Sequence, residues 1–225
     1  MVIDPGPDDP GHVANVCDRA AASGWQVEQI LVTHAHGDHL GAGDRLARRT
    51  GAPVRGWGRG DPPLRDEERL TVDGGRLRVL HTPGHAPDHV VIYWEERAVL
   101  FSGDLILGEG TVVVAPPGGS MTDYLRSLER VAQLDLVLIC PGHGPVIPDP
   151  QARIAEYRAH RSRREQQVLE ALRSGAKTPT EIAAILYTSL DPRLRPAAEG
   201  TVEAHLEKLL AEGRVDRGDG RYALP

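Results

Sequence analysis

Six consecutive residues, His34-Ala35-His36-Gly37-Asp38-His39, constrain this chain more than any others. Three imidazoles and a carboxylate fall directly after the apolar run Ile30-Leu31-Val32. Imidazole nitrogen and carboxylate oxygen are the donors that zinc and similar divalent ions accept. In an extended segment His34, His36 and Asp38 share one face and His39 points the other way. A fold at Gly37 would let His34 and His36 hold one ion, and Asp38 with His39 a second.

The surrounding pattern is strand–helix–strand. Val2-Ile3-Asp4 runs into the breakers Pro5-Gly6-Pro7, residues 11–23 have helical periodicity, and Gly24 stands where a C-terminal cap belongs. Val27–Thr33 reads as a buried strand that delivers the histidines, residues 39–50 as a helix, and Pro53-Val54 as the next strand. Alternation of this kind is an α/β signature. Two hairpins follow, over 70–80 and 90–101, then a strand at 112–114, a helix at 120–134 and an apolar strand at 136–140. Open sheets build sites from loops at strand C-termini, and here those loops carry His85, Asp104 and His143.

Seven donors serve two ions if one carboxylate bridges. The assignment that follows is His34, His36 and His85 for the first, Asp38, His39 and His143 for the second, with Asp104 shared. Two ions about 3.5–4 Å apart acidify a water held between them, and the hydroxide attacks a carbonyl carbon or a phosphorus. The expected cofactor is two Zn²⁺, other divalent metals being chemically admissible. Asp38 and Asp104 are the catalytic carboxylates: Asp104 forms the bridge, and Asp38 orients the attacking water by accepting its proton.

These motifs, His34-Ala35-His36-Gly37-Asp38-His39, Gly84-His85, Ser102-Gly103-Asp104 and Pro141-Gly142-His143-Gly144, resemble those of the metallo-β-lactamase superfamily, in its order. The resemblance covers residues 2 to about 147. It implies an α/β fold, the αββα sandwich, with a dinuclear zinc site at one edge and the ligand roles just given. With the bridge filled by Asp104, antibiotic hydrolysis is not expected. The resemblance also implies a further N-terminal strand pair ahead of Val2; the expectation is either that the true start lies upstream or that the pair is missing, and an exposed sheet edge would leave room for a homodimer. The run Phe101–Thr111 with its helical tail resembles the lactamase-beta-like protein 2 group, whose members include an endoribonuclease of single-stranded RNA; relatives of similar layout are thioesterases.

Pro148-Asp149-Pro150 marks a boundary between a catalytic domain, 1–150, and a C-terminal domain, 151–225. The first carries 13 basic and 21 acidic side chains, a net −8; the second 13 and 11, a net +2, which together make the chain's −6. Helices are expected over about 151–173, 178–187 and 201–212, closed by a glycine-turned hairpin, an arrangement of winged-helix type. Thr178 or Thr180 would cap the second helix. Arg153, Arg158, Arg161, Arg163 and Arg164 make the first helix basic, while the third carries Glu199, Glu203, Glu207 and Glu212. An acidic third helix is a poor reader of duplex DNA.

Asp4 stands where the family has an acidic residue near a ligand histidine, which makes it either a histidine partner or a turn former. His81 and His89 are left out as ligands, with His89 a nearby proton donor; His12, His160 and His205 read as ordinary surface or helix positions, and Cys140 as a small buried one. Cys17 and Cys140 are the only cysteines, so neither a disulfide framework nor a thiolate cluster is available. No apolar stretch approaches the ~20 residues that span a bilayer, and no signal peptide is expected, which suggests a cytoplasmic protein. The first functional expectation is a two-zinc endoribonuclease of single-stranded RNA. The alternative is a thioester or acyl hydrolase acting on small esters, acyl carriers or glutathione adducts. The third, a winged-helix DNA-binding regulator with a vestigial metal site, fits the acidic third helix poorly.

Overall fold

The computed structural model describes residues 1–225. They pack as two compact units: Met1–Thr82, Asp88–Gly110 and Leu134–Pro150 form one, and Pro83–Pro87, Thr111–Gln133 and Gln151–Pro225 the other.

The first unit holds two sheets. Strands β1 (Val2–Ile3), β2 (Ile30–Leu31) and β3 (Val54–Arg55) are parallel, in that order. Each crossover is helical. Helix α1 (Pro10–Ala22) starts at Asp9, whose side chain accepts the His12 N–H at 2.6 Å, with Pro10 in the first turn where no donor is needed. The expected seven-residue strand over Val27–Thr33 shrinks to Ile30–Leu31, because only those residues pair with β1 and β3. The helix expected over 39–50 is two helices, α2 (Gly37–Leu40) and α3 (Gly43–Thr50). Between them Gly41 lies against the Gly37 carbonyl and the Asp8 backbone nitrogen, an approach no side chain would permit.

The second sheet runs β4 (Arg69–Val72), β5 (Gly75–His81), β6 (Val90–Trp94), β7 (Val99–Gly103) and β8 (Leu138–Pro141) in sequence order. Its first three pairings are antiparallel and the last, β7 with β8, is parallel. The two sheets share a core: Leu31 of β2 clusters with Leu70, Leu77, Val79, Val90 and Ile92. On the other face of the small sheet, Ile30 packs with Val13 of α1 and Leu46 of α3. Sequence alternation explains the split, since Ile30 and Leu31 must face opposite sides of one strand.

In the second unit, Val112–Val114 is irregular chain, not the expected strand; it forms no ladder. Helix α4 (Met121–Ala132) is capped by Ser120, which accepts the Asp123 N–H at 3.2 Å. Then come α5 (Pro150–Leu172), α6 (Pro179–Leu186), α7 (Arg195–Ala211) and the hairpin β9 (Asp216–Gly218) and β10 (Arg221–Ala223). Thr178 and Glu181 form a reciprocal capping box at α6. Helix α7 starts six residues before the expected Thr201. Pro196 sits in its first turn, where it costs no hydrogen bond, and Gly200 is mid-helix because Ala115 packs against its backbone. Val168, Leu172, Ile182, Val202, Leu206, Leu209 and Tyr222 are the core of this winged-helix module.

Part of the basic face of helix α5 is engaged within the second unit. Arg161 is buried over the Tyr124 ring, Arg164 lies over Tyr187, and Arg158 pairs with Glu129 of α4.

Candidate metal centre

The site grows from the C-terminal ends of β1, β2, β7 and β8. Asp4 leaves β1 with φ +50° and turns its carboxylate toward the chain that follows β2. It accepts the Thr33 backbone N–H at 2.7 Å, the Thr33 hydroxyl at 2.8 Å and His39 Nδ1–H at 2.7 Å. Because the Thr33 hydroxyl proton goes to Asp4, Thr33 Oγ1 accepts His34 Nδ1–H at 3.0 Å. These partners assign both tautomers, with the proton on Nδ1 and Nε2 on the far side. His34 Nε2 lies 2.9 Å from His36 Nδ1. The loop is held from outside by Asp88, which accepts the Ala35 N–H at 2.9 Å.

Helix α2 brings Asp38 and His39 round, as the fold at Gly37 requires. His39 is 2% exposed, and its Nε2 faces Asp104 Oδ1 at 3.3 Å, His143 Nε2 at 3.2 Å and Asp38 Oδ2 at 3.9 Å. His143 Nε2 is 3.2 Å from Asp38 Oδ2 and 3.5 Å from Asp104 Oδ1. Donor atoms of His34, His39 and Asp104 lie within 4.8 Å of one another, as do those of Asp38, His39 and His143. Burial opposes charge on the His39 ring, yet hydrogen bonds to Asp104 and Asp4, and their charges, outweigh it and raise its pKa to about 10. The space at Nε2 is therefore a seat for a cation, filled by a proton or by a metal ion.

Two glycines allow this crowding. Gly103, at φ +46°, lies where a Cβ would meet Thr33 Oγ1 and His89 Nε2, at 2.7 and 2.8 Å. A Cβ on Gly142 would stand 2.6 Å from His39 Cε1 and 2.9 Å from Asp104 Oδ1. Asp104 is fixed through its backbone: its N–H donates to His89 Nε2 at 3.1 Å, and His89 Nδ1–H donates to Thr82 Oγ1 at 2.9 Å. His89 is fully buried and positions Asp104 through its backbone N–H.

His85 belongs to the second unit, in Pro83–Pro87, and its Nδ1–H donates to the Val113 carbonyl at 2.8 Å. It thus has the same tautomer as His34 and His39. His81 stacks on Trp57, centroids 3.8 Å apart and planes 1° from parallel, so its ring is committed elsewhere. Cys140 is half-buried at the end of β8, and burial pushes its thiol pKa up, which leaves it a poor ligand. Sequence reasoning missed Thr33, Thr82 and Asp88; each acts through a backbone or hydroxyl contact that no spacing rule announces.

Imidazoles locked with Nδ1–H outward and Nε2 inward, beside buried and half-exposed carboxylates, define a metal-dependent hydrolase. Residues 1–56 and 56–143 match the metallo-beta-lactamase superfamily, and residues 178–222 the beta-lactamase associated winged helix domain. The chain belongs to the metallo-β-lactamase superfamily. The "Beta-lactamase-like protein 2 homolog" of Drosophila melanogaster is 35% identical over 96% of this chain and 80% of its own. An "Atrochrysone carboxyl ACP thioesterase" of Aspergillus chevalieri is 36% identical over 77% of this chain and 56% of its own. Among solved structures, the metallo-beta-lactamase family protein TTHA1429 of Thermus thermophilus aligns with a TM-score of 0.82 at 30% identity, covering 100% of this chain and 89% of that one. No helix of the protein is long and apolar enough to cross a membrane.

Proposed function

We propose that the protein is a two-metal thioester hydrolase, with His34, His36 and His85 holding one divalent ion, Asp38, His39 and His143 a second, and Asp104 shared. The observation that carries this reading is the place of Asp104. Its Oδ1 lies 3.3 Å from His39 Nε2 and 3.5 Å from His143 Nε2, and its donor also joins the His34–His39 group. Membership of His85 rests on the motif Gly84-His85 and on its matching tautomer. Zinc is the first candidate for both ions. When bound, the pair would supply a water acidified to near-neutral pKa and positive charge for the oxygen that develops in the transition state.

The chain's own residues do the rest. Asp4 and Thr33 keep His39 and His34 in the coordinating tautomer. Asp38 is 54% exposed and 3.2 Å from His143, so it stands on the solvent side of the set. There it accepts the proton of the attacking water and is placed to return one to the leaving group. His89 and Thr82 hold Asp104 by its backbone, so that its carboxylate reorients little during turnover.

Thioesters are favoured over RNA by two observations. Two of the arginines that looked available on α5 are engaged within the protein, Arg161 by burial and Arg158 by Glu129. The relatives, in addition, include an acyl-carrier thioesterase. The test is a paired assay of metal-quantified protein on an acyl thioester and on a fluorescent single-stranded RNA. Thioester turnover lost on chelation and in Asp38→Ala supports the proposal. RNA cleavage with the same dependence, and no thioester turnover, would transfer the site to phosphodiesters.

A further inference from the structure

The winged-helix module contains a positive cluster in which several buried nitrogens have no hydrogen-bond partner. Arg161 is 2% exposed. One terminal nitrogen donates to the Val112 carbonyl at 2.6 Å, the guanidinium lies 5.0 Å from the Tyr124 ring centroid, and Nε is buried with no partner. Arg164 covers Tyr187 at 4.3 Å and donates to Gln167 Oε1 at 2.9 Å, and its Nε too is buried with no partner. His160 Nδ1 is in the same condition. His205 of α7 is fully buried, and neither of its ring nitrogens has a hydrogen bond.

These groups are neighbours. Residues 160 and 164, and residues 161 and 164, are neighbours one turn apart on α5. Arg161 lies one turn before Glu165, and His205 one turn before Lys208; Glu165 and Lys208 meet at 2.6 Å and tie the two helices together there. The charges bearing most on His205 are those of Arg161, Lys208 and Arg164, followed by His160. The nearby carboxylates are already committed, Glu156, whose charge bears on His160, to Arg153, Glu165 to Lys208 and Arg214, and Glu212 to the same two cations.

We propose that Arg161, Arg164, His160 and His205 form a binding site for a small inorganic anion of halide size, chloride in the first instance. A buried guanidinium without a counter-charge is costly, and an anion there offsets the charge while accepting its unused Nε–H. The unpartnered atoms are N–H donors, apart from the lone pair of each neutral imidazole. A water could give its protons only to the imidazole lone pairs and would leave the guanidinium charges uncompensated, whereas an anion offsets them. The near-complete burial of Arg161 and His205 suits a monatomic ion and excludes a phosphate ester.

The test uses the full chain loaded with metal. Thermal unfolding is followed in sodium chloride, sodium bromide and sodium gluconate at equal ionic strength, and crystals are grown in bromide. The expected result is a saturable rise in Tm of a few degrees with either halide, absent with gluconate and absent in Arg164→Gln. An anomalous bromide peak is expected within about 3.5 Å of the Arg161 and Arg164 Nε atoms and the His205 ring. Equal Tm in all three salts, with only water at that position in the map, would overturn the proposal. Arg161→Met is the second variant, and should it fail to fold, the bromide map of the unmodified protein still decides.

Discussion

Asp4 and His39, 35 residues apart, are joined by a 2.7 Å hydrogen bond that sets which nitrogen of the ring faces the donor cluster. One oxygen of the same carboxylate also accepts the Thr33 hydroxyl, which in turn orients His34. A single side chain at the end of β1 thus aims two histidines.

Replacing Asp4 by Ala should weaken metal binding by about 10–100-fold, the usual effect of removing a ligand's hydrogen-bonded partner. Competition with a chromophoric chelator measures this directly. Asp4→Asn, which keeps an acceptor, should recover part of the loss. Unchanged affinity in Asp4→Ala would show that the tautomers are set without it.

His89→Leu should leave the Asp104 N–H buried without its acceptor. The expected cost is about 1–3 kcal/mol of stability, read from urea unfolding, together with a lower metal stoichiometry. His89→Gln, able to accept, should restore more stability than Leu.

Gly142→Ala should disable the site while sparing the winged-helix module. The added carbon would fall 2.6 Å from His39 Cε1, so the ring must move. A fall in turnover of at least about tenfold is expected, since displacements of order 1 Å at a reacting site cost about 100-fold. Far-ultraviolet circular dichroism should be unchanged.

Acid should loosen the second unit before it reaches ordinary carboxylates. Burial first, and then the charges of Arg161, Lys208, Arg164 and His160, hold the His205 pKa at about 3, against 6.5 for an unperturbed ring. The unfolded chain therefore binds a proton that the folded one refuses. This contribution is complete above pH 6.5 and is lost as pH falls toward 3, at up to about 1.4 kcal/mol per unit. Glu165 is a separate case. Burial pushes its pKa up, but hydrogen bonds to Lys208 and Arg214 outweigh this and lower it, so its contribution disappears only below the ordinary glutamate value of 4.5. Denaturant midpoints at pH 7.5 and 5, in gluconate buffer, should differ in the unmodified protein and much less in His205→Met.

The candidate ligands were legible because the cluster His34–His39 follows the apolar run Ile30-Leu31-Val32, and His143 follows the apolar run Leu136–Cys140 beside Gly142. Asp104 and His143 could be paired with His39 for the same reason. Asp88, Thr33 and Thr82 were not legible, since their partners depend on which loop returns beside which strand. On α7, apolar residues surround His205 on several faces, with Val202, Ala204, Leu206 and Leu209 all buried. No single inward stripe marks the histidine, and it read as ordinary. The arginines of α5 misled in the opposite sense, because a charged residue that inserts beneath a tyrosine has the same sequence pattern as one in water. Gly200 and Pro196 delayed the expected start of α7 for a related reason: both are helix breakers only where a side chain or an N–H is wanted.

Under the proposed assignment, Asp104 makes the two seats partners in loading. A charge held in either seat would offset part of the carboxylate charge on which the other seat also draws. Half-loaded protein is then a distinct species, with its own spectrum and its own turnover, and activity plotted against metal content should follow a curve instead of a straight line.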